Sequence, residues 1–344
     1  MAAGCVAGRA RQAVTFAVVA DALVATEAGS ARALLRDPTA PDRLARTISE
    51  INDAKDIRFV VLLGNLLADG QGRSLDKARA LLGELKKPYF VVLGHEGLAG
   101  EPPAEGRPAL PGGGPAPDQP KPDQPAPDRP LSMSRALVAL TFRGHGFEGP
   151  LSYWRADGGA GVILVGLYTA APGQGLPGHV DAEQLAWLDR ALGQDPSAAV
   201  VVLSYHALVS FHPFDNTYAW QDRLVDNRQA VLEVIARHPN VAAVLSASHM
   251  FAASRVVGQV VHLSVPALSV WPLAYDIVRL DPGSIERHYV TVGTDDESRA
   301  AFDLLVADKT NRDLFGSSDR GEQRMIQVFG GRKTERWNLN TLRP

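Results

Sequence analysis

The chain has 344 residues, of which 45% are hydrophobic and 21% charged, a composition typical of a globular protein that buries a sizeable core. Its formal net charge of -3 argues against a broad basic surface, so nucleic acid is not expected as a partner. The only cysteine, Cys5, excludes an internal disulfide and any zinc or iron–sulfur site built from cysteines. No apolar run reaches the roughly 18 residues that span a bilayer, so no transmembrane segment is predicted.

The first residues, 1–12, are small and weakly basic, and they lack the apolar stretch of a secretory signal. We therefore expect a disordered leader on a cytoplasmic protein. The segment Ala2-Ala3-Gly4-Cys5 nevertheless resembles the end of a bacterial lipoprotein signal whose beginning is missing, and this alternative stays open.

Three short apolar runs open the folded part of the chain, at Val14–Ala20, Phe59–Leu63 and Tyr89–Leu93. They are rich in β-branched residues and do not alternate with polar ones, which is typical of strands buried on both faces. Apolar residues at helical spacing lie between them, in Pro41–Lys55 and Ser74–Lys87. The alternation of strand and helix predicts a parallel sheet with right-handed crossovers.

Each of these strands is followed by a short polar or glycine-containing turn. The turns are Asp21-Ala-Leu23, Gly64-Asn65 and Gly94-His-Glu-Gly97. Ligands of open parallel sheets bind at the carboxyl ends of the strands, so we expect the three turns to meet at one site.

Residues 101–130 interrupt this pattern with a repeat of five residues. The repeat units are Ala116–Pro120, Lys121–Pro125 and Ala126–Pro130. Dense proline prevents helix and sheet and favours an extended chain, so a disordered or polyproline-like insertion is predicted. A docking site for a proline-binding module is the alternative interpretation.

The chain then returns to a globular pattern that weakens from residue 295. Strands are expected over 161–165, 199–203, 241–245, 256–265 and 274–280, the last two in antiparallel hairpins, and helices over 181–192 and 227–238. Residues 291–344 are treated as a C-terminal extension, with a small excess of basic residues towards the end.

The order of these segments resembles the calcineurin-like metallophosphoesterases from Val14 to His288. The resemblance implies an α/β fold, a four-layer sandwich of two mixed β-sheets flanked by helices, over residues 13–290. In this family two metal ions lie at the strand ends, held by Asp-x-His, Gly-Asp, Gly-Asn-His-Asp/Glu, a lone His and Gly-His-x-His motifs. The strands before each motif match well, for example Phe16–Asp21 and Pro88–Gly94.

The ligand positions themselves depart from the family pattern. Only Asp21 keeps the family's residue. The positions implied by the resemblance are otherwise occupied by Leu23, Asn65, His95, Glu96, Tyr205, Ser248 and Met250, with Glu96 in place of the catalytic His.

These replacements remove what a two-metal site requires. Two cations about 3.5–4 Å apart need an anionic bridge, and the amide of Asn65 does not supply one. Leu23 and Met250 are poor ligands for hard cations. We therefore expect no cofactor and a binding or scaffold role, with a protein or a phosphate-bearing ligand as partner. The retromer subunit of this fold and the small subunits of replicative DNA polymerases resemble such scaffolds, which is an analogy of fold alone.

The alternative is an active phosphoesterase with a rearranged site. A single divalent ion such as manganese, zinc or iron would be held by Asp21, Asn65, His95, His206 and His249, with Glu96 as a general acid. Such an enzyme would hydrolyse phosphomonoesters or phosphodiesters. The contact surfaces expected for the scaffold are the proline-rich insertion and an aromatic loop that contains Phe211, Phe214, Tyr218 and Trp220.

Overall fold

The computed structural model describes residues 12–26, 37–95, 134–149, 151–170, 177–217 and 219–342. The proline-rich insertion, Glu96, Tyr218 and residues 1–11 of the leader lie outside this part of the chain. None of the helices in the described ranges is long and apolar enough to cross a membrane.

The described ranges form twelve strands and nine helices. The strands are β1 (Val14–Ala20), β2 (Ile57–Gly64), β3 (Tyr89–Leu93), β4 (Trp154–Gly159), β5 (Val162–Gly166), β6 (Ala199–Ser204), β7 (Val241–Ser246), β8 (Ala253–Val257), β9 (Val260–Ser264), β10 (Ala274–Asp281), β11 (Ser284–Thr291) and β12 (Thr334–Asn338). The helices are α1 (Ala40–Asp53), α2 (Gly72–Gly83), α3 (Arg135–Thr141), α4 (Ala182–Gly193), α5 (Arg228–Ala236), α6 (Asp295–Ala307), α7 (Lys309–Phe315), α8 (Asp319–Gly330) and α9 (Leu339–Leu342).

Two mixed sheets of six strands each form the sandwich predicted from the motif order. The first sheet has the order β12-β11-β10-β1-β2-β3, and β1, β2 and β3 are parallel. The second has the order β4-β5-β6-β7-β9-β8, in which β5, β6, β7 and β9 are parallel. The carboxyl ends of the parallel strands in each sheet therefore lie at one edge, as expected from the turns.

Apolar residues between the sheets and under the helices explain this layering. The largest apolar cluster contains Phe16 from β1 and Val201 from β6, together with Leu44 and Ile48 from α1. A second cluster packs α4 and α5 on the outer face of the second sheet. The predicted strands 14–20 and 89–93 are confirmed with the same bounds, because their uninterrupted apolar runs are buried.

Two expectations for the second half need correction. The expected strand over 256–265 is interrupted, because the chain reverses at Gly258, where φ is +59°, and forms the hairpin of β8 and β9. The weak pattern after residue 295 holds α6, α7, α8 and β12, and β12 pairs with β11 at the edge of the first sheet. Short helices that bury few residues give little sequence periodicity, which is why the pattern seemed to end.

The C-terminal helices complete a buried group of side chains, the C-terminal aromatic cluster. Its buried members are Trp220, Phe251, Ala267, Val270, Leu305, Phe315, Met325 and Phe329. Phe329 is 2% exposed and its ring centroid lies 5.5 Å from that of Phe251. The helices after residue 295 are therefore packed into the body of the fold.

Replacing Phe329 with Ala should lower the free energy of unfolding by about 3–5 kcal/mol, because the truncation leaves a cavity in this cluster. Ile326 on the same helix is 45% exposed, so Ile326→Ala is the matched control and should cost less than about 1 kcal/mol. Urea denaturation followed by circular dichroism measures both. Similar small losses in the two variants would contradict the packing described for α8.

A buried carboxylate lies inside the sandwich on β10. Asp276 is fully buried, and neither of its carboxylate oxygens accepts a hydrogen bond from a described residue. Arg287 on β11 faces it but donates to Glu335 on β12 at 2.7 Å. Burial raises the pKa of Asp276 to about 7, against the lowering effect of Arg287, and Glu335 raises it further.

This raised pKa makes stability depend on pH. The folded chain holds a proton on Asp276 that the unfolded chain has lost above pH ~4, so stability decreases from pH ~4 to ~7 and then levels off. The Asp276→Asn variant should lack this pH-dependent contribution to stability. Its free energy of unfolding relative to the wild type should therefore increase by a few kcal/mol between pH ~4 and ~7. Chemical denaturation at several pH values measures the difference, with the exposed Asp303→Asn as control. A difference that does not change with pH would contradict the assignment.

Candidate functional site

The strand ends bring Asp21 and Asn65 into contact. Asp21 follows β1 and Asn65 follows β2, and both are 1% exposed. The backbone N–H of Asn65 donates to Oδ1 of Asp21 at 2.9 Å. Asp21 adopts a left-handed backbone conformation with φ of +47°, which sets its carboxylate against the end of β2.

Tyr205 joins this pair from the second sheet. It directly follows β6, is 1% exposed, and its hydroxyl oxygen accepts a hydrogen bond from Nδ2 of Asn65 at 2.6 Å. The ring covers Gly64, where a Cβ atom would lie 2.7 Å from Cδ2 of Tyr205. With a φ of +98°, Gly64 is required here by both backbone conformation and space. The amide and the phenol thus connect the ends of β2 and β6.

Leu23 and Met250 belong to one small apolar cluster and occupy two other positions of the implied metal site. Leu23 is 1% exposed and packs in a small cluster with Ala68, Ala25 and Met250. Both residues adopt positive φ angles, +48° at Leu23 and +63° at Met250. Neither side chain offers an oxygen or nitrogen donor, so this part of the site is filled with hydrocarbon and a thioether.

Two histidines lie beside Tyr205. The ring centroids of His95 and His206 are 6.0 Å apart, and that of His95 is 5.3 Å from Tyr205. His206 is buried, and its Nδ1 lies 3.0 Å from Oγ1 of Thr169, which also accepts from the backbone N–H of His206 at 3.1 Å. The structure therefore groups the rings of His95, Tyr205 and His206.

His249 lies in a different environment. It is fully buried, and its Nε2 lies 3.0 Å from Oδ1 of Asp215. Its ring contacts Phe211, Trp220 and Phe251, which places it against the C-terminal aromatic cluster. His249 is thus engaged with Asp215, although the sequence allowed it as a ligand beside Asp21.

The Asp215–His249 pair holds the aromatic loop in place. Burial lowers the pKa of His249, and Asp215 only partly offsets this. Burial also acts to raise the pKa of Asp215, but the contact with His249 and the backbone N–H groups of His212 and Phe211 outweigh it and lower the pKa. At neutral pH the pair is a carboxylate facing a neutral imidazole. Asp215 was missed in the sequence, because no motif spacing marks it.

Ser248 has a structural contact at the end of β7. Its Oγ donates to the backbone oxygen of Arg223 at 2.6 Å, and Nη1 of Arg223 donates to the backbone oxygen of His249 at 2.9 Å. These bonds connect the turn after β7 to the aromatic loop. Of the loop residues expected to form a contact surface, Trp220 is fully buried beneath the C-terminal helices, whereas Phe211 and Phe214 are half-buried.

The donor set does not fit a two-metal centre. Asn65 offers a neutral amide that is bonded to Tyr205, and Leu23 and Met250 lie in an apolar cluster where the family pattern has imidazoles. Within the described ranges, no group of three or more His, Cys, Asp or Glu side chains is arranged to hold a metal ion. Glu96, the candidate general acid, lies outside those ranges and remains a prediction.

Comparison with known proteins identifies the fold. No protein family model and no curated protein matches the sequence. The structure is similar to a dimetal phosphatase from Danio rerio, with a TM-score of 0.59 and 15% identity over 81% of this chain and 99% of that one. It is also similar to the purple acid phosphatase PPD1 from yellow lupin (Lupinus luteus) seeds, with a TM-score of 0.51 and 11% identity over 82% of this chain and 52% of that one.

The architecture is therefore that of the calcineurin-like metallophosphoesterases, as the motif order predicted. At these identities the similarity extends to the fold, and the chemistry has to be argued from the residues of this chain.

Tyr205→Phe tests the contact between the sheets. Loss of the hydroxyl removes a buried acceptor from the amide of Asn65 and should lower the free energy of unfolding by about 1–3 kcal/mol. Tyr275→Phe is the control, because the Tyr275 hydroxyl lies 3.5 Å from Oε2 of Glu50 and makes at most a weak bond. Equal losses in both variants, measured by urea denaturation, would contradict a special role for the Asn65–Tyr205 bond.

Proposed function

We propose that this protein is a metallophosphoesterase-fold protein that has lost two-metal catalysis and acts by binding a partner. The observation that carries the proposal is that Leu23 and Met250 both belong to one small apolar cluster with Ala68. A clamp of two cations activates water and stabilises the leaving oxygen only when oxygen or imidazole ligands surround it. Here the side chains at these two positions belong to an apolar cluster instead.

The Asn65–Tyr205 bond supports the same proposal. A bridging carboxylate offsets the repulsion between two divalent ions, whereas the amide of Asn65 is neutral and donates to Tyr205. The phenol ring also covers Gly64, at the end of the strand that would carry the bridge. Contacts between neutral groups thus occupy positions at which a metal centre would require charged ligands.

A protein is the partner we place first, with a phosphate-bearing ligand as the second choice. The formal net charge of -3 disfavours binding to extended polyanions such as nucleic acid. With hydrolysis absent, recognition is the remaining role that the fold supports.

An active single-metal phosphoesterase is the rival function, and one observation favours it. Asp21 and Asn65 are in contact at the strand ends, and His95 and His206 lie beside Tyr205, the partner of Asn65. One manganese, zinc or iron ion held by these four residues would supply a Lewis acid. His249 no longer belongs to this set because it faces Asp215.

Metal content and turnover decide between the two functions. The full chain is loaded with manganese and zinc, passed through gel filtration, and analysed for metal by mass spectrometry and for hydrolysis of an aryl phosphodiester. We expect far less than one equivalent of metal and no turnover, because the donor set is incomplete. About one equivalent of metal, with turnover abolished by Asp21→Ala and retained in a control such as Asp281→Ala, would contradict the proposal.

A variant with restored metal ligands provides a second test. Leu23→His combined with Asn65→Asp and Met250→His returns three ligand types to their motif positions. If the strand ends keep the family's geometry, the variant should retain more metal than the wild type under the same loading. Unchanged metal content in a folded variant would show that these positions no longer converge on one site.

A further inference from the structure

A cavity of about 320 Å³ lies between the start of α1, the turn that follows β9 and helix α6. At about 30 Å³ for each water molecule, it has room for about ten waters or for one small organic molecule. The residues that line it do not include Asp21, Asn65, His95 or Tyr205 of the strand-end site. The cavity is therefore a separate feature of the fold.

Ion pairs fix the walls of the cavity. Nη2 of Arg43 on α1 lies 2.6 Å from Oδ2 of Asp37, and Nη1 of Arg43 donates to the backbone oxygen of Leu268 at 3.1 Å. Nη2 of Arg46, also on α1, donates to both carboxylate oxygens of Glu297 on α6, at 2.7 and 2.6 Å. Because these contacts join α1 to the turn after β9 and to α6, the cavity is formed before any ligand binds.

Two buried polar side chains of the cavity wall each keep one atom that has no hydrogen-bond partner in the described part of the chain. These atoms are Nε of Arg43, which is 1% exposed, and Oγ of Ser269, which is 4% exposed. Buried polar atoms in folded proteins are nearly all hydrogen-bonded, so such a pair calls for a partner inside the cavity. The Nε–H of arginine only donates and a hydroxyl can also donate, so the partner has to offer a hydrogen-bond acceptor.

The charges around the cavity disfavour an anionic partner. Three carboxylates, those of Asp37, Asp296 and Glu297, line it beside the guanidinium of Arg43. Burial acts to raise the pKa of Glu297, but hydrogen bonds from Arg46 and from a backbone N–H, with the charge of Arg43, lower it to about 2. The carboxylates therefore stay ionised at neutral pH and repel a negative ligand. A simple cation offers no acceptor to the two buried donors, which leaves an uncharged acceptor.

The rest of the wall is apolar. Val270 lies next to Ser269 in the turn after β9 and is 2% exposed. Ala301 and Leu304 are three residues apart on α6 and so lie on one face of the helix. Leu304 is 36% exposed, so an alkyl chain that covered it would remove apolar surface from water.

We propose that this cavity binds a small uncharged molecule that combines a carbonyl acceptor with an alkyl chain, such as a short carboxamide. The carbonyl oxygen accepts from Nε of Arg43 and from Oγ of Ser269, and the alkyl chain packs on Val270, Ala301 and Leu304. The proposal does not depend on whether the strand-end site is catalytic.

The test uses the full chain and three probes that share one alkyl chain and differ in the charge of the polar end. They are hexanamide, hexanoate and hexylammonium. Each is titrated into isotope-labelled protein, and the backbone N–H signals of Ser269, Val270 and Ala301 are followed by nuclear magnetic resonance. We expect hexanamide to shift these signals saturably near the millimolar range, which a ligand of this size allows. The two charged probes should bind at least about fivefold more weakly, because neither is an uncharged acceptor.

Ser269→Ala tests the polar end of the cavity. Loss of the hydroxyl should weaken hexanamide binding about three- to tenfold. It should not lower the free energy of unfolding, because Oγ has no hydrogen-bond partner in the described ranges. Ser152→Ala is the matched control, since Ser152 is also 4% exposed with an unpartnered Oγ but does not line the cavity. It should leave hexanamide binding unchanged.

Ala300→Leu tests the space in the cavity. Ala300 lines the cavity and is exposed, so the larger side chain occupies volume there without overpacking the core. Hexanamide binding should become at least about tenfold weaker. Ala307→Leu adds the same volume at an exposed position of α6 that does not line the cavity, and it should not change binding.

Three results would overturn the proposal. The first is the absence of a saturable shift with hexanamide, which would show that the cavity is closed or filled by the chain itself. The second is tighter binding of hexanoate or hexylammonium than of hexanamide, which would assign the cavity to a charged ligand. The third is equal weakening by Ser152→Ala and Ser269→Ala, which would place the bound amide elsewhere.

Discussion

Parallel pairing within each sheet is the constraint on which the rest of this structure depends. Since β1, β2 and β3 run in one direction, Asp21, Asn65 and His95 lie at one edge of the first sheet. The parallel strands β6 and β7 bring Tyr205 and Ser248 to the corresponding edge of the second sheet. Packing the two sheets face to face then places these turns against each other, whatever side chains they carry.

The side chains at this edge of the sandwich form contacts with one another. The amide of Asn65 bonds to Tyr205, and Leu23 and Met250 share an apolar cluster, so both polar and apolar groups connect the two sheets. A site built from charged ligands would be stabilised by bound metal, because like charges repel when the ion is absent. Contacts between neutral side chains do not need a bound metal for their stability. They make this edge of the sandwich part of the buried core.

The C-terminal helices also bury side chains of the neighbouring aromatic loop. Phe315 and Phe329 pack on Trp220, and the buried Asp215 holds both the loop and His249. Trp220 of the loop that the sequence offered as a recognition surface is thereby covered, whereas Phe211 and Phe214 of the same loop are half-buried.

The sequence by itself determined the sandwich. Strands such as Val14–Ala20 are mainly apolar runs, and a run that must be buried on both faces specifies a central strand without reference to the rest of the chain. The identity of the residues after each strand, including Leu23 and Asn65, followed from the order of the segments.

Only the tertiary structure decided which of those residues meet. His249 and Met250 are adjacent in sequence, yet His249 contacts Asp215 and Met250 packs on the cluster of Leu23 and Ala68, because side chains of neighbouring residues leave the backbone in different directions. The pairing of β12 with β11 likewise joins segments that three helices separate. Such contacts depend on packing between segments that are distant in sequence, and the local hydrophobic periodicity does not predict them.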